Sequence, residues 1–333
     1  MAIQIISKVV AGATLIFAAS TTYAQTFCVF DPLGTSGDNY SMMKDYALAA
    51  KKWGADIKLK SYTDEAIAAK DFKEGHGCDG VAITGVRTRQ FNNFVGSIDA
   101  VGAVLSNESA RMVYSLVASP KLAPDMLDHG VEVAGATTLG LVYVMVDDRK
   151  INSLWNMVGK RWGVLSYDVA EQLIVNKFGA EPINLELNSI GSEFNNGQVD
   201  LVALPLMAFK PLELNHGIGA NGAILNFPAA QVSYDVLIHP EDFPQGYGQN
   251  SRNWMLGQLD HQFNVVKKTE NSIDPKYWED IPAKLVPGYY KLMRDVRIFV
   301  TSDNVYNKKM MHILKRVRCR ENPNNVECSS NLE

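Results

Sequence analysis

The chain has 333 residues, of which 47% are hydrophobic and 20% are charged, and its formal net charge is −4 at pH 7. This balance is typical of a soluble globular protein with a substantial core, built as one large domain or as two domains of ordinary size. The negative charge and the absence of any block of like charges argue against a nucleic-acid-binding protein, which normally carries a basic face.

The first 24 residues predict a secretory signal peptide. Lys8 precedes an apolar run over 9–19, which is too short to cross a bilayer comfortably, and small residues follow it up to Ala24. We expect cleavage after Ala24, with Gln25 as the first mature residue, and no lipid attachment at Cys28. No later stretch approaches the ~18 apolar residues of a membrane-spanning helix. The mature protein is therefore predicted to be soluble and periplasmic.

From residue 26 the sequence alternates between strand-like and helix-like segments. Apolar residues at three- and four-residue steps mark the first helix, and glycines end both helices, Gly54 and Gly75. The predicted elements are a strand over 26–30, a helix over 39–54, a strand over 55–62, a helix over 63–75 and a strand over 81–84. This β-α-β-α-β order requires a mainly parallel sheet with helices on its faces.

The same alternation returns after residue 160. The predicted elements are a strand over 160–166, a helix over 167–179, an extended segment over 181–187, a short helix over 188–197 and a strand over 198–206. Both repeats place a helix, a glycine, an aspartate and a buried strand in succession, as "FKEGHGCDGVAIT" and as "FNNGQVDLVAL". Two similar α/β lobes, each a mainly parallel sheet flanked by helices, are the simplest architecture.

Two apolar runs, 139–146 and 232–240, are predicted to cross between the lobes. They divide the chain, after the signal peptide 1–24, into a first lobe of 25–140 with 235–333 and a second lobe of 141–234. The cleft between such lobes receives the C-terminal ends of strands from both sides, which is where ligands bind in open α/β sheets.

Four cysteines in an exported chain favour disulfides over a metal site. Cys319 and Cys328 flank a short turn-rich segment, which predicts a local bridge between them. Cys28 and Cys78 each stand at the front of a predicted strand, and they can pair if those strands are neighbours. Two buried free thiols are the alternative for this second pair. His76 has no partner cluster near Cys78 in the sequence, so no metal site is predicted.

The known catalytic and cofactor motifs find little support. "GIGANG", 217–222, matches the dinucleotide fingerprint G-x-G-x-x-G, but it does not lie on a tight strand-to-helix turn and Pro228 follows it closely. No Walker loop, G-x-S-x-G elbow or H-E-x-x-H pair occurs. Ser36 lies ahead of a helix, where capping explains it better than nucleophilic catalysis. We therefore predict a protein that is not an enzyme and that uses no cofactor and no metal.

Two loops of the first lobe predict the ligand site. "DPLGTSGDNY", 31–40, leads from the first strand into a helix N-terminus, whose free N–H groups can bind an anion or a polar ligand. "TGVRTRQF", 84–91, follows the third strand, and in a parallel sheet both loops open on the same edge. Arg87 and Arg89 therefore predict a site for an anion. The alternative is a solvated loop with two surface charges.

The order of three segments, "VEVAGATTLGLVYVMV", "LWNMVGKRWGV" and "FNNGQVDLVALPL", resembles that of the DctP-type extracytoplasmic solute receptors of TRAP transporters. More closely, "FCVFDPLGTSGDNY" and "GCDGVAITGVRTRQFNNFVGSIDAVGA" resemble the AdeT-type solute-binding proteins, and the resemblance covers essentially the whole mature chain. It implies a two-lobed periplasmic-binding-protein-like fold of type II. It also implies a periplasmic receptor that captures a small, anionic ligand, of the organic anion class, and delivers it to an inner-membrane transporter.

Two other functions stay open at the level of sequence. AdeT-type proteins have also been described as efflux components in aminoglycoside resistance, which makes a periplasmic accessory protein of an efflux system the alternative. Without a membrane-spanning segment the mature chain cannot itself be a pump. An exported hydrolase is a third functional class, which no sequence motif supports.

The strand at 160–165 departs from the receptor pattern. DctP-type receptors usually carry, in a G-x-K-x-R strand, an arginine that clamps the substrate carboxylate bidentately. Aligning on Gly159 places Gly163 at that position, with Arg161 two residues earlier on the same strand face. We expect the clamp to come from the other lobe. The predicted ligand-binding residues are Arg87, Arg89, Arg161, Tyr40, Ser36, Asp38, Trp162 and Tyr167.

Overall fold

The computed structural model describes residues 24–333. The predicted signal peptide, apart from Ala24, lies outside the described residues, and its cleavage site stays a prediction. Within 24–333 none of the helices has both the length and the apolar character that a membrane span needs.

Strands and helices alternate through most of the chain. The strands are β1 Gln25–Phe30, β2 Ile57–Tyr62, β3 Gly80–Thr84, β4 Leu127–Asp128, β5 Val131–Val146, β6 Arg161–Leu165, β7 Glu181–Leu185, β8 Leu201–Pro205, β9 Ala223–Ile238 and β10 Trp278–Glu279. The helices are α1 Asp38–Ala50, α2 Glu65–Lys73, α3 Gly85–Thr88, α4 Asn107–Val117, α5 Leu154–Met157, α6 Val169–Phe178, α7 Ile190–Asn195, α8 Asn215–Ile218, α9 Tyr247–Asn271, α10 Val286–Ser302 and α11 Lys308–Glu321.

One sheet runs through the molecule in the strand order β2-β1-β3-β9-β5-β8-β6-β7, while β4 pairs with β5 and β10 pairs with β9. At one end β2, β1 and β3 are parallel, and at the other end β8, β6 and β7 are parallel. We call the two ends, with their helices, the first lobe and the second lobe. The predicted α/β class is confirmed, with a mainly parallel sheet in each lobe.

The long strands β5 and β9, of 16 residues each, connect the lobes, because they pair with each other while β9 also pairs with β3 of the first lobe and β5 with β8 of the second. In β9, Tyr234 pairs with Thr84 of the first lobe, and β5 pairs through Val142–Val146 with β8 of the second. Register shifts interrupt the β5–β9 ladder, one of them at Gly140, whose φ of 97° suits glycine. The run 139–146, predicted to cross between the lobes, lies in β5, and the second predicted run, 232–240, lies in β9 up to Ile238. The division at residues 140 and 234 stays a prediction.

Apolar residues cover both faces of the sheet in each lobe. In the first lobe Phe27 and Tyr46 belong to a cluster on one face, and Phe72 belongs to a cluster on the other. The segment after α9 contributes to both lobes, since Tyr289 of α10 packs with the second-lobe cluster around Val164. Burial of such faces is the main favourable contribution to this architecture.

The structure confirms both predicted disulfides. Cys28 on β1 is bonded to Cys78, which precedes the neighbouring strand β3, with their Cα atoms 5.6 Å apart. Cys319 near the end of α11 is bonded to Cys328, also with a Cα separation of 5.6 Å. Both separations suit a disulfide.

Candidate functional site

A cavity of about 670 Å³ lies between the lobes, against β5 and β9. Leu33 and Val101 line it from the first lobe, Trp162 and Leu204 line it from the second, and Val232 lines it from the connecting strand β9. Most of its wall is apolar. Its volume and its mixture of apolar wall and few polar groups are those of a small-molecule site.

Carboxyl groups are the main charged groups on this cavity. Among the described residues that line it, Lys210 is the one lysine or arginine, whereas five residues carry a carboxyl group: Asp31, Asp38, Asp99, Asp168 and Glu171. Local structure places several of them. Asp31 follows β1 and accepts the backbone N–H of Leu33, while Asp168 caps α6 by accepting the N–H of Ala170.

Arg89 connects the lobes directly behind the cavity wall. Its Nη1 donates to Oδ1 of Asp168 at 2.7 Å, and its Nε donates to the carbonyl oxygen of Gly96 at 3.0 Å. Its guanidinium carbon also lies 5.4 Å from the ring centroid of Tyr306, which lines the cavity. Burial alone lowers the pKa of Arg89, but the neighbouring Asp168 reverses that shift and the pKa is raised.

Arg87 belongs to a second cluster that crosses the interface. Its guanidinium carbon lies 3.3 Å from the ring centroid of Tyr167, and its Nε lies 3.5 Å from Oε2 of Glu65. The hydroxyl of Tyr167 donates to the same Glu65 oxygen at 2.9 Å. Glu65 comes from α2 of the first lobe, and Tyr167 comes from the second. Burial raises the pKa of Glu65 although the Arg87 charge opposes that shift.

Two neighbouring buried aspartates, Asp99 and Asp235, lack a full set of hydrogen-bond partners. Oδ1 of Asp99 accepts the N–H and the hydroxyl of Ser233, while its Oδ2 has no hydrogen-bond partner among residues 24–333. The carboxyl group of Asp235, which is fully buried on β9, has the side chains of Thr88 and Ser233 as neighbours but makes no well-aligned hydrogen bond among the described residues. Burial raises the pKa of Asp235 to about 7. It also raises that of Asp99 well above its ordinary value, and the Asp235 charge adds to this shift.

The second-lobe wall of the cavity also contains polar groups without partners. Burial, together with the charge of Asp168, raises the pKa of Glu171 to about 8. Nε1 of Trp162 and the hydroxyl of Tyr289 are buried without a well-aligned hydrogen bond in the described part of the chain, although Trp162 acts on the pKa of Glu171 and the Leu154 backbone acts on that of Tyr289. Buried polar groups are normally bonded, so such groups in a cavity wall call for an explanation.

The structure brings together some of the predicted site residues. Asp38, Trp162 and Tyr167 line the cavity, whereas Arg87 and Arg89 lie at the lobe interface and are paired with carboxylates. The three remaining predicted residues are not among the residues that line the cavity: Ser36, Tyr40 and Arg161. The ligand contacts predicted for all eight residues stay predictions.

Strand β6 brings no arginine to the cavity. The guanidinium of Arg161 bonds to Asp200, and its side chain is 40% exposed. A Cβ at Gly163 would lie 3.1 Å from Val202 and 3.2 Å from Leu185, so a side chain there would enter the core of the second lobe. The sequence placed Arg161 and Gly163 on one strand face, and the tertiary structure turns that face away from the cavity.

Sequence reasoning missed the acidic residues that decide the electrostatics of the site. Asp99 stands in "FVGSIDAVGA" and Asp235 in "VSYDVLI", each a lone charge within an apolar stretch. A lone acid in such a stretch is a usable signal, because burial of a carboxyl needs compensation. Asp168 and Glu171 gave no such signal, because acidic residues are common at the N-terminus of a helix, where they interact favourably with the helix dipole.

Comparison with protein families gives a match over most of the chain. A sequence model of the family described as "Solute-binding protein AdeT 1/2" matches residues 45–333. A relative from Acinetobacter baumannii, named "Probable solute-binding protein AdeT1", is 46% identical over 305 residues, which are 92% of this chain and 100% of the relative.

Solved structures with the same fold have low sequence identity. A TRAP periplasmic solute binding protein from Desulfovibrio salexigens with bound orotic acid superposes with a TM-score of 0.71 at 13% identity, covering 89% of this chain and 98% of that one. One from Rhodoferax ferrireducens with bound malonate gives a TM-score of 0.70 at 12% identity, with the same coverage of 89% and 98%. The fold is therefore that of two-lobed periplasmic binding proteins.

Proposed function

The chain belongs to the family of AdeT 1/2 solute-binding proteins, and on this premise we propose that it captures a small organic acid between its lobes and delivers it to an inner-membrane transporter. The observation that carries the proposal is the cavity of about 670 Å³ at the lobe interface. The ligands of two proteins with this fold, orotic acid and malonate, support an organic acid. The same proposal includes export with cleavage of the signal peptide after Ala24. It includes no covalent chemistry on the ligand.

Ligand binding would act on an equilibrium between open and closed lobes. Both interface clusters, Arg89 with Asp168 and Arg87 with Glu65 and Tyr167, join residues of different lobes and therefore exist only when the lobes are closed. A ligand that contacts both lobes stabilises the closed state by its difference in affinity for the two states. The connecting strands β5 and β9 are the segments about which the lobes would open.

Arg89 is the proposed contact for the ligand carboxylate. Its Nη2 donates to none of the residues that the structure describes, whereas Nε and Nη1 are engaged. A guanidinium can bind a carboxylate through two parallel hydrogen bonds, which gives orientation as well as affinity. Arg87, stacked on Tyr167, would position that ring in the cavity wall.

The first experiment is native mass spectrometry of freshly purified protein, in which we expect a retained small molecule with a carboxylate. Calorimetry with that molecule should then show binding that is about 10- to 100-fold weaker for Arg89→Ala, the effect of one charge-assisted contact. Arg89→Lys separates charge from bidentate geometry, and Arg111→Ala, an exposed arginine on α4, is the matched control.

Two outcomes would contradict the proposal. One is the absence of any retained or added small-molecule ligand together with a scattering curve that no added solute makes more compact. Binding to a membrane protein under those conditions would favour the accessory role in an efflux system. The other is full binding by Arg89→Ala combined with loss of binding by Arg161→Ala, which would return the clamp to the second lobe.

A further inference from the structure

The charges around the cavity do not suit an acid that carries carboxylates alone. Of the described residues lining it, five bear carboxyl groups and one, Lys210, is a lysine or arginine. Arg89 and Arg87 lie behind the wall, and each already faces a carboxylate, Asp168 and Glu65 respectively. A dicarboxylate placed here would satisfy Arg89 with one carboxylate, but its second carboxylate would face the carboxyl groups of Asp99 and Glu171 instead of a cation. Charge buried without compensation is costly.

Asp99 is the residue at which this excess of carboxyl groups over cations can be located. The residue is 7% exposed and lines the cavity, and its Oδ2 accepts no hydrogen bond from the described residues. Its Oδ1 is held by Ser233, so the carboxyl group has a defined orientation. A buried acceptor without a donor lowers the stability of the folded chain. A ligand that donates hydrogen bonds, above all a cationic one, removes that cost.

The ion pair between Arg89 and Asp168 supplies the matching anion site. The two groups are 2.7 Å apart, and the charges of Asp168 and Asp99 both act on the Arg89 guanidinium. A ligand with a carboxylate and an ammonium on one carbon has the complementary arrangement. Its carboxylate can take the place of Asp168 at Arg89, and its ammonium can bond to the carboxyls that are then free.

We infer that the solute is a zwitterion of the α-amino acid type with an apolar side chain, whose carboxylate meets Arg89 and whose ammonium meets Asp99 and Asp168. The inference rests on the proposed function and names the chemical class of its ligand. The rest of the cavity accounts for the apolar part, because Phe178 and Phe227 line it together with aliphatic residues. The cavity volume leaves room for a side chain of the size of leucine or phenylalanine.

Matched probes test this class by calorimetry on the dialysed full-length mature protein. The series is L-phenylalanine, 3-phenylpropanoate, which lacks the ammonium, and 2-phenylethylamine, which lacks the carboxylate. L-leucine and 4-methylpentanoate form a second, aliphatic pair. We expect at least one amino acid to bind at least about 10-fold more tightly than its truncated partners, because each of them leaves one buried charge unpaired.

The variant Asp99→Asn tests the position of the ammonium. Asparagine keeps an oxygen for Ser233 but cannot ionise beside an ammonium, so we expect amino-acid binding to weaken by about 10-fold or more while binding of the acid stays equal or improves. Asp45→Asn on the exposed surface of α1 makes the same charge change as a control. The melting temperature of each variant verifies folding. An equal loss for acid and amino acid would assign Asp99 a purely structural role and overturn the inference.

The remaining outcomes separate this inference from the proposed function. If the acids bind as tightly as the amino acids, or bind when the amino acids do not, the solute is an ordinary anion and only the inference fails. If no probe binds although native mass spectrometry finds a retained solute, the inference also fails alone. If no solute is retained and none induces compaction, the proposed function fails as well.

Discussion

Two regions of the molecule each contain a pair of buried arginines, and the two pairs differ in how completely their charges are matched by hydrogen-bonded partners. In the lobe interface, Arg87 and Arg89 share their surroundings with more carboxyl groups than they can bind, and Oδ2 of Asp99 has no donor among the described residues. At the C-terminus, Arg297 and Arg318 face two carboxylates, and all four charges are hydrogen-bonded. We call this second group, with the residues Arg297, Arg318, Glu327 and Glu333, the C-terminal charge cluster.

The bonds of the C-terminal charge cluster are complete. Nη2 of Arg297 donates to Glu327 at 3.0 Å, and Nε of Arg318 donates to the same residue at 2.7 Å. Backbone carbonyls of Val101 and Ala103 accept from the remaining terminal nitrogens. Burial alone raises the pKa of Glu327, but Arg318 and Arg297 hold it below its ordinary value. The pKa of Asp99 is instead raised well above its ordinary value.

The difference supports our proposal that the arginine pair of the lobe interface serves a ligand and that the pair at the C-terminus is structural. Where every charged group is hydrogen-bonded to a partner within the protein, the cluster stabilises the fold but offers no free donor or acceptor to a solute. An unmatched group costs stability and is retained where a ligand supplies the missing partner. The following substitutions test this distinction, in order of expected effect.

The largest effect is expected from Arg297→Leu, which leaves Glu327 and Glu333 buried with one cation fewer. Breaking a buried charge network from one side typically costs about 3–5 kcal/mol of unfolding free energy. Urea denaturation monitored by circular dichroism measures it. Lys291→Leu on the same helix, whose ion pair with Asp295 is exposed, should cost below about 1 kcal/mol. Equal losses of unfolding free energy in the two variants would contradict a structural role for the C-terminal charge cluster.

The two disulfides should differ in the stability that they contribute. Cys28–Cys78 joins β1 to the start of β3, whose far ends lead into the cleft loops, and spans 50 residues; Cys319–Cys328 closes the C-terminal charge cluster and spans 9. Loop-closure entropy predicts about 4 kcal/mol for the first and about 3 kcal/mol for the second. Double Cys→Ser variants measured in urea compare them. A larger loss for the short loop would show that local packing, rather than chain entropy, dominates.

Stability should depend on pH through the unmatched region. The pKa of Asp235 is raised from 3.8 to about 7, so the folded state holds a proton that the unfolded state has released between those values. Its contribution is therefore present below about pH 4 and is lost as the pH rises toward 7, to a total of roughly 2–4 kcal/mol. Asp235→Asn should reduce this loss, and the part that remains belongs to groups such as Asp99 and Glu171, whose pKa values burial also raises. Unfolding free energies at pH 5 and pH 8 measure it.

The exposed Asp56→Asn serves as the control for that pH dependence. It should leave the difference between pH 5 and pH 8 as in the parent chain. The prediction would be wrong if the Asp235→Asn variant retained the full difference, since the titrating group would then lie elsewhere.

The smallest effect is expected from Arg161→Ala. Its ion pair with Asp200 is partly exposed, and such pairs contribute about 0–1 kcal/mol. Because the side chain is not among those lining the cavity, ligand binding should weaken less than in Arg89→Ala. Calorimetry and thermal melting, with Arg111→Ala beside it, give both quantities. Loss of binding in Arg161→Ala alone would contradict our assignment of the clamp.

Much of the fold could be predicted because it depends on short-range patterns. The strand at 81–84, the helix ended by Gly179 and the bridge between Cys319 and Cys328 follow from periodicity, end signals and cysteine position, and the structure confirms them. Arg87 was assigned to a loop, whereas the structure places it on the short helix α3, which Thr84 caps. That error is local, since a single helical turn has too few residues to show a period.

The sequence by itself determined the α/β alternation, the local bridge between Cys319 and Cys328 and, as an expectation, the export signal, because each rests on neighbouring residues or on composition. The bond between Cys28 and Cys78 depended on the tertiary structure, which places β1 beside β3. The partners of the cleft arginines were decided only by the tertiary structure. Arg89 and Asp168 are 79 residues apart and come from different lobes, so β5 and β9 must first set the lobes against each other. Which face of β6 meets the cavity, and therefore why Arg161 does not, depends on the same packing. Contacts between residues so far apart in the chain cannot be predicted from local sequence patterns.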